Sequence, residues 1–329
     1  MMTLSVCCRR SFLIGTALSA LAATSATAAE ADYPAKPVRI VVPYGPGGIA
    51  DVTMRLVAEN LSNKYHQQFY IENRPGAGGI VAMRDLLRSP PDGYSLGEMG
   101  NGQAISASLF NRLPYDVLKD FSPISVTANF EMLLAVSDGS AYRSLKDIVE
   151  AARKSPGKLN IGAINPGSTQ NLSAHLFAQI TGAKFTIITY RTTPDLLTAL
   201  LRGDVVLGFD YYAAFQGVIA PGKLRIIATS GEHRNPLLGD VPTAKESGFP
   251  SYIVTSWNGL AGPAGLPSDV LNLLNAEINR ALAAPDLAQK ATTLGIDARG
   301  STPEEMHDRL AQDAQKWRQV IAQAGIPKQ

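Results

Sequence analysis

The stretch Val38-Arg39-Ile40-Val41-Val42-Pro43-Tyr44-Gly45-Pro46-Gly47-Gly48-Ile49-Ala50-Asp51 breaks from a β-branched run into a glycine-rich loop, then enters the helix-like segment Val52-Thr53-Met54-Arg55-Leu56-Val57. A strand that ends this way leaves the first N–H groups of the next helix without intrahelical partners. The helix dipole adds partial positive charge at the same point, so the junction suits an anion. Glycine lets a ligand approach the backbone closely. An ordinary tight βα connection has the same appearance, and this segment alone does not separate the two. Phosphate is the less suitable anion, because no Gly-Lys-Ser/Thr follows and the G-x-G-x-x-G spacing is absent.

The first 28 residues read as a removable export signal. Arg9-Arg10 precedes an apolar stretch over 12–23 that is too short to span a bilayer, and Ala26-Thr27-Ala28 forms a small-residue cleavage site. Arg9-Arg10-Ser11-Phe12-Leu13 is similar to a twin-arginine signal with Cys8 in place of Ser or Thr, and a general secretory signal is the alternative. Both cysteines, Cys7 and Cys8, lie in this segment, so the expected mature chain has no thiol, disulfide or Cys metal site. Its 28 basic and 28 acidic residues cancel, which disfavours nucleic acid as a partner. No later run approaches the roughly 18 apolar residues of a membrane span.

Short β-rich runs alternate with amphipathic stretches along the chain. Residues 38–42 precede a helix near 51–64; 68–72 precede 79–88; 94–97 precede a segment around 104–110. The middle repeats the pattern with strands at 158–164, 185–189, 205–209 and 224–230 and helices at 171–180, 195–201 and 213–220. Beyond Trp257 the pattern turns helical, at 267–283, 286–294 and 303–324, the last opened by Ser301-Thr302-Pro303-Glu304-Glu305. The expected fold is α/β in two lobes, each with a central, largely parallel sheet flanked by helices. Lobe 1 is assigned to 29–127 and 250–329, and lobe 2 to 128–249.

Further candidate residues lie at other strand ends. Asn160-Ile161-Gly162-Ala163-Ile164-Asn165-Pro166-Gly167-Ser168-Thr169-Gln170-Asn171 again reads strand, small polar loop, helix, with N–H groups from Gly167 onward and hydroxyls from Ser168 and Thr169. One such loop per lobe suggests a ligand held between lobes. Thr189-Tyr190-Arg191-Thr192-Thr193-Pro194 offers a cation and two hydroxyls, although Thr193 can equally N-cap the helix begun by Pro194. Asp210 ends a strand, where it can meet a ligand, cap a helix or brace a loop. Tyr211-Tyr212, Trp257 and Phe130 could line an aromatic-tolerant pocket, with core packing the simpler role for each. Gly102 and Gln103 follow a third strand and complete the candidate set with Tyr44, Gly48, Ile49, Ala50 and Asp51. Catalysis finds little support: His66, His175, His233 and His307 lack metal spacing, and G-x-S-x-G, C-x-x-C and H-E-x-x-H are absent.

Co-linear motifs run through the mature chain: Tyr33-Pro34-x-Lys36-Pro37 leading into Val38–Tyr44, Gly47-Gly48, Asp51-Val52, Glu72-Asn73-Arg74-Pro75-Gly76-Ala77-Gly78-Gly79 and Pro91-Asp92-Gly93-Tyr94. Leu113-Pro114-Tyr115-Asp116, Lys119-Asp120-Phe121, Pro156-Gly157-Lys158-Leu159-Asn160, Asp240-Val241-Pro242-Thr243 and Glu246-Ser247-Gly248 continue the series. Together they resemble the receptors of tripartite tricarboxylate transporters, the Bug family of periplasmic solute receptors. The resemblance implies a hinged two-lobe binding protein without catalytic residues, cofactor or metal. It would act as a monomer that captures a mono- or dicarboxylate, aromatic ones included, for membrane permease subunits. It also implies that loop 44–51 grips one carboxylate through main-chain amides and ordered waters, with loop 165–171 contributing from the other lobe. Departures from the family pattern are Gly45, Asn171, Arg191-Thr192-Thr193 and Tyr211, which make the distal half of the pocket bulkier. Asp51 is expected to turn its backbone N–H toward the ligand while its side chain braces the loop. A periplasmic sensor subunit and a secreted α/β hydrolase are the competing readings.

Overall fold

The computed structural model describes residues 33–164 and 168–329; the export segment and Gly167 lie outside them. β1 (Val38–Val42) pairs in parallel with β2 (Phe69–Asn73) on one side and β3 (Ser95–Gly100) on the other, with α1 (Ile49–Tyr65) and α2 (Ile80–Leu86) as crossovers. Val38, Ile40 and Val42 pack against Met54, Val57 and Leu61 of α1, while Val41 faces the opposite core with Met83 and Leu86 of α2. Burial on both faces explains why β1 is apolar at every position except Arg39, which pairs with Glu72 and Asp85, instead of alternating. α3 (Asn101–Leu109) leaves β3 directly.

A second parallel set is built from β5 (Asn160–Ile164), β6 (Thr186–Tyr190) and β7 (Leu207–Tyr211), with β5 between the other two. Its crossovers are α5 (Thr169–Thr181) and α6 (Thr193–Arg202), after α4 (Leu145–Lys154) has led into β5. α7 (Tyr212–Ile219) and β8 (Leu224–Thr229) follow.

Two long strands join the parallel sets. β4 (Phe121–Ser137) pairs antiparallel with β9 (Thr255–Pro263) along Phe121–Glu131 and with β7 and β8 along Met132–Ser137. β9 also pairs antiparallel with β3. The result is a curled mixed sheet in the order β2-β1-β3-β9-β4-β7-β5-β6, with β8 on β4. The largely parallel sheets expected from the sequence thus hold within each set, while every pairing to β4 or β9 is antiparallel. The helices expected beyond Trp257 begin only after β9, as α8 (Ser268–Leu282), α9 (Pro285–Thr293) and α10 (Pro303–Gln323). Gly259 suits β9 because a Cβ there would lie 2.8 Å from the Ser125 carbonyl oxygen.

Candidate functional site

The carboxyl ends of β1, β3, β5, β6 and β7 all deliver their following loops or helices to one open cavity of about 910 Å³. Strand carboxyl ends are where α/β sheets place ligands. On the first side, Gly47 adopts φ +81°, a conformation glycine reaches without strain, and Gly48 precedes α1 with no side chain capping the helix. The opening N–H groups of α1 therefore stay free of side-chain acceptors beside Tyr44, Gly48, Ile49 and Ala50, which line the cavity. Asp51 does not line it. Its carboxylate accepts from Gly47 N at 2.8 Å, Asn73 Nδ2 at 2.9 Å and Arg55 Nε at 2.9 Å, while Asn73 Nδ2 also reaches Tyr44 O at 3.0 Å. Burial pushes the Asp51 carboxyl up, and the Arg55, Gly47 and Asn73 bonds outweigh it, so its pKa falls below the ordinary value. The bracing role expected for this side chain is met.

Gly102 lies on the wall, and a Cβ there would approach the Tyr44 hydroxyl to 2.2 Å. Gln103 is buried away from the cavity. Its Oε1 accepts from Gly100 N at 2.7 Å, which caps α3.

On the second side the expected hydroxyls are present but committed. Ser168 caps α5, accepting from Asn171 N at 3.1 Å and donating to Ile164 O at 2.6 Å. Thr169 Oγ1 accepts from Asn101 Nδ2 at 2.8 Å. The cap of α6 is Thr192, which accepts from Asp195 N at 3.3 Å, and not Thr193. Thr193 is pulled inward instead, its Oγ1 donating to Asp210 Oδ2 at 2.7 Å. Asp210 also accepts from Gln170 Nε2 at 3.1 Å and Tyr211 N at 2.9 Å, so it braces three segments of the wall. Burial raises its pKa against these three bonds. Arg191, also on the wall, is exposed and forms no ion pair among the described residues.

The wall also carries apolar side chains. Ile105, Leu109 and Phe110 come from α3 and its end, Ala213 and Ala214 from α7, and Phe130 meets Tyr211 edge to face at 4.8 Å. The Tyr211 hydroxyl lies near the Ser256 and Thr169 hydroxyls. Sequence reasoning named Phe130 and Trp257 but missed the α3 face, Asn258 and the acid behind it, Glu98. The apolar spacing Ile105, Leu109 was the available signal for the helix face.

The model of the tripartite tricarboxylate transporter family receptor matches residues 53–326. The chain belongs to that family. A UPF0065 protein of Pseudomonas sp. (strain P51), from the tcbD-tcbE intergenic region, is 31% identical over 96% of this chain and 94% of its own length. BugT of Bordetella pertussis is 29% identical, over 89% of this chain and 90% of its own. Among solved structures, the R. palustris protein Rpa4515 with adipate has a TM-score of 0.80 at 32% identity, covering 90% of this chain and 99% of that one. MatC from Rhodopseudomonas palustris with bound malate has a TM-score of 0.75 at 28% identity, covering 88% and 100%. Members of the transporter-receptor family are solute receptors and not enzymes, and the two-lobe α/β architecture is shared with these neighbours.

Proposed function

We propose that this receptor captures a small organic mono- or dicarboxylate with an apolar body, aliphatic or aromatic, in the periplasm and delivers it to the permease subunits of a tripartite transporter. The observation that carries the reading is the uncapped start of α1 behind Gly47-Gly48, which lines the same partly apolar cavity as Arg191. Free N–H groups and a helix dipole receive one carboxylate, and Arg191 receives a second polar group. Adipate and malate in the two R. palustris neighbours are carboxylates of suitable size. The proposed contacts are Tyr44, Gly48, Ile49, Ala50, Gly102, Arg191 and Tyr211, with Asp51, Gln103, Ser168, Thr169, Thr192, Thr193 and Asp210 holding the walls. Gly167 belongs to the proposed set by its sequence position.

The proposed lobes are 29–127 with 250–329, and 128–249. The passage of β4 from β9 to β7 and β8 between Glu131 and Met132 supports a boundary near there. The protein is proposed to be a monomer exported by its first 28 residues. Calorimetry against linear dicarboxylates, aromatic monocarboxylates and amino acids tests the ligand class. Saturable binding of a carboxylate, lost in its methyl ester, is expected. Equal binding of acid and ester would refute an anion grip, and intact mass of the exported protein retaining residues 1–28 would refute the cleavage.

A further inference from the structure

Behind the cavity wall sits an acid to which the binding site as described gives no task. Glu98 lies in β3 and is 1% exposed. The β3–β9 register sets Gly100 opposite Asn258, which brings the Asn258 side chain to the Glu98 carboxyl. In the orientation that satisfies both of its ends, the Asn258 amide donates to Glu98 Oε1 and to Trp257 O, each at 3.1 Å. The other oxygen, Oε2, is buried with no hydrogen-bond partner among the described residues. A buried carboxylate in this condition is costly, whereas a neutral carboxyl carries a donor it can offer. Burial pushes the Glu98 carboxyl up to about 8, which keeps it protonated at neutral pH.

The neighbours of Glu98 are themselves wall residues. Tyr44, Trp257 and Asn258 line the cavity, so Glu98 stands one side chain behind the space a ligand occupies. The Tyr44 hydroxyl lies against Gly102 and within reach of the Glu98 charge. Tyr44 is the titratable side chain facing Glu98 from the β1–α1 loop, and Tyr211 and Tyr115 act in turn on Tyr44. On the β9 side, Trp257 engages Asp313 and Arg309 of α10. Burial alone accounts for the raised pKa of Glu98, with no cation contributing.

We propose that Glu98 is a specificity-determining residue of the cleft: as a neutral acid it permits an anion in front of Tyr44 and Asn258, and as a carboxylate it rejects one. The proposal rests on the carboxylate reading of the cavity. An ionised Glu98 has no paired cation, so its repulsion of a ligand carboxylate acts through a low-dielectric wall with little compensation. Reciprocity then requires that a bound carboxylate hold the proton on Glu98, so binding above the Glu98 pKa takes up a proton.

The test is calorimetry with adipate on the mature protein and on Glu98→Gln, from about pH 7 to about pH 10, where adipate is essentially fully ionised. Wild-type affinity should be level near neutrality and fall by up to about tenfold per pH unit above about 8. Glu98→Gln, permanently neutral, should match the wild type near neutrality and stay level. A level wild-type profile overturns the proposal while leaving the carboxylate reading intact. A fall shared by both proteins overturns it as well. Infrared difference spectra of the two ligand-free proteins at neutral pH should contain a protonated carboxyl stretch lost in the variant, and its absence refutes the proposal independently of any ligand. If neither adipate nor any other carboxylate binds at any pH, the cavity reading falls and this proposal with it.

Discussion

Asn101 Nδ2 donates to Thr169 Oγ1 at 2.8 Å, tying the first turn of α3 to the first turn of α5. The two helices follow strands of different parallel sets, so a single side-chain bond spans the two halves of the sheet. The other end of Asn101 is also occupied, since its Oδ1 accepts from Trp317 Nε1 of α10 at 2.8 Å. Three helices therefore share one buried amide.

Asn101→Ala removes both bonds and leaves the Trp317 indole donor buried without its acceptor. A buried orphan of this kind costs about 1–3 kcal/mol. Denaturant unfolding should show a loss in that range, with an unchanged denaturant dependence of the unfolding free energy. A change below about 0.5 kcal/mol would mean the bond is not made in solution.

Gly102 and Gly100 make a contrasting pair. A Cβ on Gly102 would meet the Tyr44 hydroxyl at 2.2 Å, the far end of the side chain of a partly exposed loop residue, which can shift to relieve it. A Cβ on Gly100 would meet the Trp257 carbonyl oxygen at 2.3 Å, which is backbone held in the sheet. Gly102→Ala should therefore keep its stability, helped by about 1 kcal/mol of helix propensity, while ligand affinity falls several-fold as Tyr44 leaves the wall. Gly100→Ala should lose stability. Thermal melts and calorimetry on both variants check the pair, and equal stability losses would contradict it.

Asp51 gives a pH-dependent contribution whose sign follows from its lowered pKa. A carboxyl depressed on folding stabilises the native state above its unfolded pKa, about 3.9, and loses that contribution as pH falls through the lower folded value. Asp51→Ala should cost about 1–3 kcal/mol at neutral pH, because Gly47, Asn73 and the half-exposed Arg55 lose their shared acceptor. The gap between the two proteins should narrow as pH drops below about 4. Urea unfolding across that range measures it, and a gap that widens on acidification would reverse the assignment.

The parallel strands and their helices were legible because their sequences keep their local logic. β1 is β-branched at every position but Arg39, and α10 opens with Thr302 accepting from Glu305 N while Glu305 accepts from Thr302 N. β4 and β9 were not. β4 contains Pro123 and is buried on both faces over much of its length, so it shows no alternation, and β9 carries Asn258, Gly259 and Gly262 where close packing overrides strand propensity. The loops of the cavity were readable from glycine and strand ends. The commitments of their hydroxyls were not, because the partners of Thr169 and Thr193 lie 68 and 17 residues away in sequence. Glu98 gave no sequence signal at all, since nothing in Ser95–Gly100 distinguishes a buried neutral acid from a surface one.

Arg191 tests whether the far side of the cavity sets ligand choice. It is exposed, without an ion pair among the described residues, and follows β6 while the α1 loop follows β1, so a diacid long enough to reach both places engages both. Thr192 and Thr193 are tied into the α6 cap and Asp210, so the substitution that isolates ligand contact is Arg191→Gln alone. Replacing all of Arg191-Thr192-Thr193 with Lys-Gly-Ser should reorder the ligands too, but it also removes the bond from Thr193 to Asp210. For Arg191→Gln, affinity for the best-fitting diacid should fall about tenfold, near 1.5 kcal/mol for a lost charge-assisted bond, while the matching monocarboxylate loses little. Calorimetry over a chain-length series, with compaction followed by small-angle scattering, reads both effects. A ligand favours closure only by contacting the closed state better than the open one, so the longest-reaching diacid should compact the wild type most. If mono- and diacids lose affinity equally in the variant, Arg191 acts as a general positive field and not as the second grip.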